Sequence, residues 1–201
     1  MATRTITPKD IGELRKRTGA GMMDCKRALE EAKGDMAAAA DILRTKGIAK
    51  AEKRSGRSAA EGVVVSYIHH NQQVGVLLEL TCETDFVART DDFRALARDL
   101  ALHVASADPV GVTAEDIPAD LIERERRIAE EQVAAAGKPE KIRPKIVDGK
   151  LKKFIAERTL LEQPFVKDDS KTVGQLVKEV SGTLGEAISV KRFARFKVGE
   201  D

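Results

Sequence analysis

Few side chains in this sequence form a pattern that could hold a nucleotide or a metal ion. Gly19-Ala20-Gly21 weakly resembles a dinucleotide-binding loop, but no predicted strand precedes it, no third glycine follows, and no distant acid is placed to hold a ribose. No Gly-Lys-Ser or Gly-Lys-Thr phosphate loop is present. His69 and His70 are adjacent on a predicted strand, so we expect them to point to opposite faces and not to share a metal ion.

The two cysteines are poor candidates for a catalytic nucleophile. Cys82 falls on the predicted buried face of a strand, where a thiol is inert, and Cys25 lies on the inward face of a predicted helix. Two cysteines in 201 residues favour a reducing compartment over a disulfide framework, so we expect two free thiols. No Ser/His/Asp or Cys/His set stands out, and we predict neither an enzyme nor a cofactor.

The charge balance excludes strong overall attraction to nucleic acid or to a membrane surface. Lys and Arg number 35 against 33 Asp and Glu, a net charge of +2.

No run of the sequence approaches the roughly 18 apolar residues that a membrane span needs. The residues from Met1 to Asp10 include Arg4 but no apolar core segment. We therefore expect a folded, cytoplasmic protein.

The chain is organised around residues 81–90, where strand periodicity gives way to helix periodicity. Alternating apolar residues from Val74 to Cys82 predict a half-buried strand, and Thr90 is a good N-cap for the amphipathic helix that follows. Between them lies Asp85-Phe86-Val87 in a surface connection. Two interpretations of Phe86 are open. It packs inward, by extending the apolar stripe of the helix or stapling the helix entrance against the core, or it anchors an interface with a partner.

The first part of the chain carries signals for three helices. Thr7 with Pro8 begins the first, which Gly19 ends; the second runs from Met22 to Lys33; Asp35 caps the third, which Gly47 is predicted to stop. Met22 and Met23 point about 100° apart on a helix, so both cannot be fully buried in a bundle of this size. Either one fills the core, or both form an adaptable apolar contact.

A basic stretch and an α+β domain follow the bundle. Residues 44–58 hold six Lys or Arg side chains against one Glu, which suits a solvated helical linker or a phosphate-binding patch. Beyond it we predict about three antiparallel strands with packed helices. The predicted elements are a hairpin from Gly62 to Cys82, helices at 90–106 and 118–136, two helical pieces around Gly149 that fold back as a helical hairpin, a loop at 162–165, a helix capped by Asp169 or Ser170, and a terminal strand at 188–198.

The terminal strand mixes basic and aromatic residues in the manner of an RNA-binding strand. Period two places Phe193 and Phe196 on opposite faces, so only one could stack on a base. An RNA- or ribosome-binding module therefore remains the alternative function, although no direct contact with nucleic acid is expected.

Several motifs together closely resemble the elongation factor Ts family, the nucleotide exchange factors of elongation factor Tu. They are Leu14-Arg15, Thr18-Gly19-Ala20-Gly21-Met22-Met23-Asp24-Cys25-Lys26, Gly34-Asp35 and Thr84-Asp85-Phe86-Val87-Ala88. The resemblance covers essentially the whole chain. It implies a ubiquitin-associated (UBA-like) fold for the three-helix domain and a core domain of the short form with a single subdomain. With the boundary that the basic stretch indicates, the predicted domains are 1–50 for the bundle, 51–61 for a basic linker and 62–201 for the core.

The same resemblance implies a mode of action and a set of partner-binding residues. Asp85 and Phe86 would enter between helices of the GTP-binding domain of elongation factor Tu, and Met22 and Met23 would meet the outside of that domain. The expected partner-binding set is Thr84, Asp85, Phe86, Val87, Met22 and Met23. The short form is further expected to pair as a homodimer, without a disulfide near its carboxyl terminus.

Overall fold

Three helices come first in the computed structural model, which describes residues 6–200: α1 (Pro8–Thr18), α2 (Met22–Glu31) and α3 (Met36–Arg54). The predicted caps are confirmed, since the Thr7 hydroxyl accepts the Asp10 N–H at 3.3 Å and the Asp35 carboxylate accepts the Ala38 N–H at 2.8 Å. One buried cluster joins the three helices; it comprises Leu14, Cys25, Ala28, Leu29 and Ala39. Residues 1–5 and 201, the outer ends of the predicted domains, lie outside the described residues.

The third helix is longer than the sequence predicted. Gly47 does not stop α3, which continues to Arg54 through the first residues of the predicted linker. A glycine inside a helix costs only about 1 kcal/mol relative to alanine, so favourable packing on its far side can outweigh it. Here Ala51 is buried, and Glu52 of α3 accepts a 2.9 Å salt bridge from Lys178.

The second half of the fold is built on a three-stranded sheet. It consists of β1 (Glu61–Ile68), β2 (Val74–Cys82) and β5 (Ile188–Lys197), antiparallel in the order β1-β2-β5. The short α4 (Asp85–Ala88) and the longer α5 (Asp91–Ala107) follow β2, and α8 (Val173–Leu184) precedes β5. The predicted α+β class is confirmed, and so is Thr90 as a cap, because its hydroxyl accepts the Phe93 N–H at 3.3 Å.

Two helices form a hairpin between α5 and the end of the chain. They are α6 (Ala119–Ala135) and α7 (Arg143–Arg158), which pack through Ala129 and Val133 against Val147 and Leu151. The predicted division at Gly149 is wrong, because α7 passes through this residue without interruption. The apolar contacts of Val147 and Leu151 lie on both sides of the glycine and hold the two turns in one helix.

The segment after α7 also differs from the prediction. Instead of a loop at 162–165 and a helix capped by Asp169 or Ser170, the structure has a small ribbon of β3 (Pro164–Phe165) and β4 (Asp168–Thr172). Asp169 and Ser170 are strand residues, and α8 begins only at Val173. Burial of Phe165, which is 5% exposed, provides the apolar contact that positions this ribbon and overrides the capping preference of the polar residues.

A buried polar network stands beside the ribbon. His103 is 1% exposed and its Nδ1 accepts the Val166 N–H at 3.2 Å, so Nε2 carries the proton and donates to Gln163 Oε1 at 2.9 Å. The Gln163 amide donates in turn to the carbonyls of Ala107 and Glu157. Burial lowers the pKa of His103 below its ordinary value, while the Gln163 hydrogen bond opposes this shift.

By internal contacts, the chain divides into two units. One takes the chain up to Val63, Leu80–Leu96 and Gln175–Ser189; the other takes Val64–Glu79, Ala97–Gly174 and the chain from Val190. The domain limits at residues 50 and 62 stay predictions. Within residues 6–200, no helix is both long and apolar enough to cross a membrane.

Candidate functional site

The turn at residues 84–88 is a single helical turn that the sequence caps by itself. The Thr84 hydroxyl accepts the Val87 N–H at 3.4 Å, which starts α4, and the Cys82 thiol donates to the Thr84 carbonyl at 3.1 Å. Ala88 is buried beneath the turn and anchors its far end. Because four residues are too few to hold a helix alone, the turn needs tertiary support.

Two carboxylates provide that support, and they do so reciprocally. Glu186 accepts both the Thr84 N–H, at 3.0 Å, and the Thr84 hydroxyl, at 2.6 Å. Glu83 accepts the Ala187 N–H at 2.7 Å and faces Arg57 at 3.4 Å. The Ala187 hydrogen bond is the main reason that the pKa of Glu83 lies below its ordinary value.

This brace joins the turn to the residues just before β5 and fixes its backbone. Neither glutamate could be recognised from the sequence, because their partners lie more than 100 positions away along the chain. Polar residues in loops gave no local signal of the contact.

Phe86 projects from the braced turn with 79% of its surface exposed. The interpretation in which it extends the apolar stripe of α5 into the core is therefore wrong; Phe93 occupies the core and is fully buried. Asp85 beside it forms a salt bridge to Arg89 at 2.7 Å, and both side chains stay substantially exposed. A large, rigid apolar side chain on an immobilised backbone is the kind of residue that anchors protein interfaces.

Met22 and Met23 form a second exposed apolar patch, with 55% and 64% of their surfaces exposed. They occupy the first turn of α2, ahead of the buried Cys25, Ala28 and Leu29. The interpretation in which one methionine fills the core is wrong, because the bundle core is already closed without either. Their flexible thioethers suit an adaptable contact surface.

Both cysteines are free and buried, as the sequence predicted. Burial raises the pKa of the Cys82 thiol, and the nearby Glu186 carboxylate raises it further. Burial likewise raises the pKa of the Cys25 thiol. Both thiols therefore stay protonated at neutral pH and are poor nucleophiles.

The histidine pair does not have the geometry expected from strand alternation. β1 ends at Ile68, so His69 and His70 lie in the connection to β2, and their ring centroids are 4.2 Å apart rather than on opposite faces. The His69 ring also hydrogen-bonds the Tyr67 hydroxyl at 3.0 Å. Among the residues that the structure describes, no group of three or more His, Cys, Asp or Glu side chains could hold a metal ion.

Both arginines of the terminal strand are engaged by carboxylates. Arg192 pairs with Glu79 at 2.7 Å, and Arg195 pairs with Asp108 at 3.1 Å and with Glu200 at 2.9 Å. Phe196 on this strand is 68% exposed, whereas Phe193 is half-buried, in agreement with their predicted opposite faces. One exposed ring beside neutralised cations is a weak platform for RNA.

An α+β fold that presents a braced, exposed aromatic residue is typical of a protein that acts by contact with another protein. The family model described as "Elongation factor TS" matches residues 28–200. Elongation factor Ts of Desulfosudis oleivorans is 53% identical over 196 residues, which cover 98% of this chain and 99% of that relative. The chain belongs to the elongation factor Ts family, and its role lies in translation elongation.

Two further relatives of the same name share the length of this chain as well as its sequence. The protein of Fervidobacterium nodosum is 51% identical over 97% of this chain and 99% of its own length. That of Thermosipho melanesiensis is 51% identical over 97% and 100%, respectively. The predicted short form of the family is thereby confirmed.

Proposed function

We propose that the chain is a guanine-nucleotide exchange factor for elongation factor Tu, and that Phe86 is the residue that opens the partner. The observation that carries the proposal is the exposed ring on a backbone fixed by Glu186 and Glu83. In this proposal Thr84 and Val87 shape the turn, while Asp85 and Phe86 enter between helices of the GTP-binding domain. The chain itself carries out no covalent chemistry and needs no cofactor.

The proposed mechanism is a coupling between two binding events. A side chain that fits only when helices beside the magnesium site are displaced deprives GDP of its metal and phosphate contacts, so GDP leaves faster. Linkage requires that bound nucleotide weaken the grip of the factor by the same free energy, so GTP binding releases the factor. Rigidity matters because a mobile turn would yield instead of displacing the partner's helices.

The contribution of Phe86 can be bounded from its exposure. Full burial of a phenylalanine is worth about 1.5–3 kcal/mol, and each 1.36 kcal/mol is about tenfold in rate. Phe86→Ala should therefore slow exchange by about 10- to 100-fold. Because 79% of the residue is exposed, the variant should fold as the parent does.

The test is the release of a fluorescent GDP from elongation factor Tu on mixing with the chain. The matched control is Ile142→Ala, which removes another exposed apolar side chain, 45% exposed, that belongs to the other unit of the chain. We expect rapid release with the parent and with Ile142→Ala, and slow release with Phe86→Ala. Release by Phe86→Ala at the parent rate would remove this residue from the mechanism, and no acceleration by the parent would refute exchange itself.

The RNA- or ribosome-binding alternative has less support, because the arginines of the terminal strand are already paired. Salt separates the two functions: affinity for RNA falls steeply with ionic strength, whereas an apolar contact with a protein is nearly insensitive to it. We also propose a cytoplasmic location, as predicted from the sequence, because the chain would act together with the translation machinery.

The open face of the sheet supports a second part of the proposal, a homodimer. Val64 and Ile68 on β1, Leu77 on β2 and Phe196 on β5 lie on this face, and all four are exposed. Gly75 of β2 lies on the same face, because a Cβ added to it would be 3.1 Å from Ile68 Cδ1. A second copy is the occupant we favour, because a two-fold interface places the same patch against itself.

The same face carries both a carboxylate and a guanidinium, Glu79 and Arg192, joined at 2.7 Å. Two copies can therefore exchange these ion pairs across a two-fold axis without leaving a charge unpaired. Light scattering should give a dimer for the parent and a monomer for Leu77→Lys. A monomeric parent at micromolar concentration would contradict the dimer and leave the exchange assay unaffected.

A further inference from the structure

A cavity lies beside the first turn of α2, between the three-helix bundle and the end of α8. Its volume is about 400 Å³, within the range of about 300–1,000 Å³ that is typical of small-molecule sites. Gly47 and Gly182 form part of its wall, where the two helix backbones meet. Both belong to the same unit of the chain.

The lining of this cavity is strongly basic. Four cationic side chains contribute to it, against a single carboxylate from Asp24; the cations are Arg27, Lys46, Lys50 and Arg54. Asp24 is shared by Arg27, at 2.5 Å, and Lys50, at 3.2 Å, and these hydrogen bonds hold its pKa below the ordinary value. Lys46 pairs with Glu31, so two positive charges remain uncompensated even when that glutamate is counted.

Arg54 contributes a partly buried guanidinium to the lining. Its Nη1 atom is buried and has no hydrogen-bond partner among the described residues. A buried guanidinium N–H without an acceptor is costly, and native proteins usually satisfy such groups with protein, water or a bound ion. An anion in the cavity would offset the positive charge of this guanidinium, which belongs to the lining.

We propose that this cavity binds a small polyphosphate, the group shared by inorganic pyrophosphate and by nucleoside di- and triphosphates. Two or three uncompensated cations call for more negative charge than one carboxylate carries, and guanidinium groups match phosphate oxygens in pairs. Gly21 caps α2 without a side-chain acceptor, so backbone N–H groups of the first turn add donors on the same side. The site uses no glycine-rich phosphate loop. Three of its cations, Lys46, Lys50 and Arg54, belong to the basic stretch at 44–58, for which a phosphate-binding patch was one of the two interpretations from sequence.

The test is isothermal titration of the full chain with inorganic pyrophosphate at low salt. Arg54→Gln should weaken binding about tenfold, as expected for loss of a charged hydrogen bond. Asp24→Asn should tighten it, because the variant removes the carboxylate that competes for Arg27 and Lys50. The control is Lys26→Gln, whose parent lysine pairs with Glu30 on the outside of α2 and should leave binding unchanged.

Parallel titrations distinguish the source of the phosphate. Tighter binding of ADP or GDP than of pyrophosphate would identify a nucleotide as the ligand, and equal binding would identify the free polyphosphate. Absence of pyrophosphate binding, or equal affinity of Arg54→Gln and the parent, would overturn the proposal. So would a single-stranded RNA that binds more tightly than pyrophosphate and is unaffected by Arg54→Gln. Lys50→Gln provides a second variant should Arg54→Gln fail to fold.

Discussion

The contact of α3 with α8 should tolerate alanine on one side and not on the other. A Cβ built on Gly182 would lie 2.7 Å from the Gly47 carbonyl carbon and 2.8 Å from the Gly47 Cα and oxygen. A Cβ on Gly47 would lie 3.7 Å from the Gly182 Cα, an ordinary van der Waals distance. A side chain on Gly182 would therefore collide with the backbone of α3, whereas a side chain on Gly47 would fit beside α8.

The expected magnitudes follow from two opposing effects. Overpacking against backbone costs about 1–3 kcal/mol, and alanine in a helix gains up to about 1 kcal/mol over glycine. Gly182→Ala should therefore lower the free energy of unfolding by about 1–2 kcal/mol. Gly149→Ala, in the middle of α7 with no atom within 4 Å of the new Cβ, should raise it by about 0.5–1 kcal/mol.

Thermal unfolding followed by circular dichroism measures the stability of the three variants, Gly182→Ala, Gly47→Ala and Gly149→Ala. We expect the melting temperature to fall for Gly182→Ala and to rise slightly for Gly149→Ala and Gly47→Ala. A shift of about 2–4 °C per kcal/mol is typical of chains of this size. If Gly182→Ala were as stable as Gly149→Ala, the close approach of the two backbones would be refuted, together with the wall it gives to the proposed cavity.

Three further perturbations probe the brace, the second patch and the buried histidine. Glu186→Gln replaces one of the two carboxylate oxygens that accept hydrogen bonds from Thr84. We expect the free energy of unfolding to fall by about 0.5–1.5 kcal/mol and GDP release to become slower. Unchanged release would show that the brace is dispensable. Met22→Ala combined with Met23→Ala should raise the dissociation constant for elongation factor Tu about tenfold or more. The rate of GDP release at saturating concentration of the chain should change little. An unaltered dissociation constant would exclude the two methionines from the interface. His103 binds its proton more weakly in the folded than in the unfolded chain, so the free energy of unfolding should fall as the pH drops below about 6.5, by at most about 1.4 kcal/mol per pH unit. His103→Gln should flatten this dependence between pH 7 and 5.5, and an equally steep profile in that variant would assign the effect to another group.

Local signals predicted the starts of helices better than their ends. Thr7, Asp35 and Thr90 each combine a capping side chain with an apolar helical repeat, and all three cap a helix in the structure. A cap acts within one turn, so the residues that form it are neighbours in the sequence. Gly47 and Gly149, in contrast, lie inside helices whose continuation depends on contacts with distant residues.

The exposure of Phe86 and the support of its turn illustrate the same limit. Periodicity placed a strand before the turn and a helix after it, and this gave the position of the corner without the direction of the ring. The resemblance to a family supplied the expectation that the ring faces outward. Neither could have found Glu186, because a glutamate that braces a turn about 100 residues earlier has the same local pattern as one that faces solvent.

The brace formed by Glu83 and Glu186 also explains how a helix as short as α4 can hold an exposed phenylalanine in a fixed position. α4 has four residues, and its hydrogen bonds alone would leave the turn largely unfolded. Glu83 and Glu186 exchange hydrogen bonds with the backbone on both sides, so the turn is ordered before any partner arrives. Binding then loses less conformational entropy, and more of the free energy of burying Phe86 is left to displace the partner's helices. Exchange should therefore depend on the glutamates even though neither projects as the ring does.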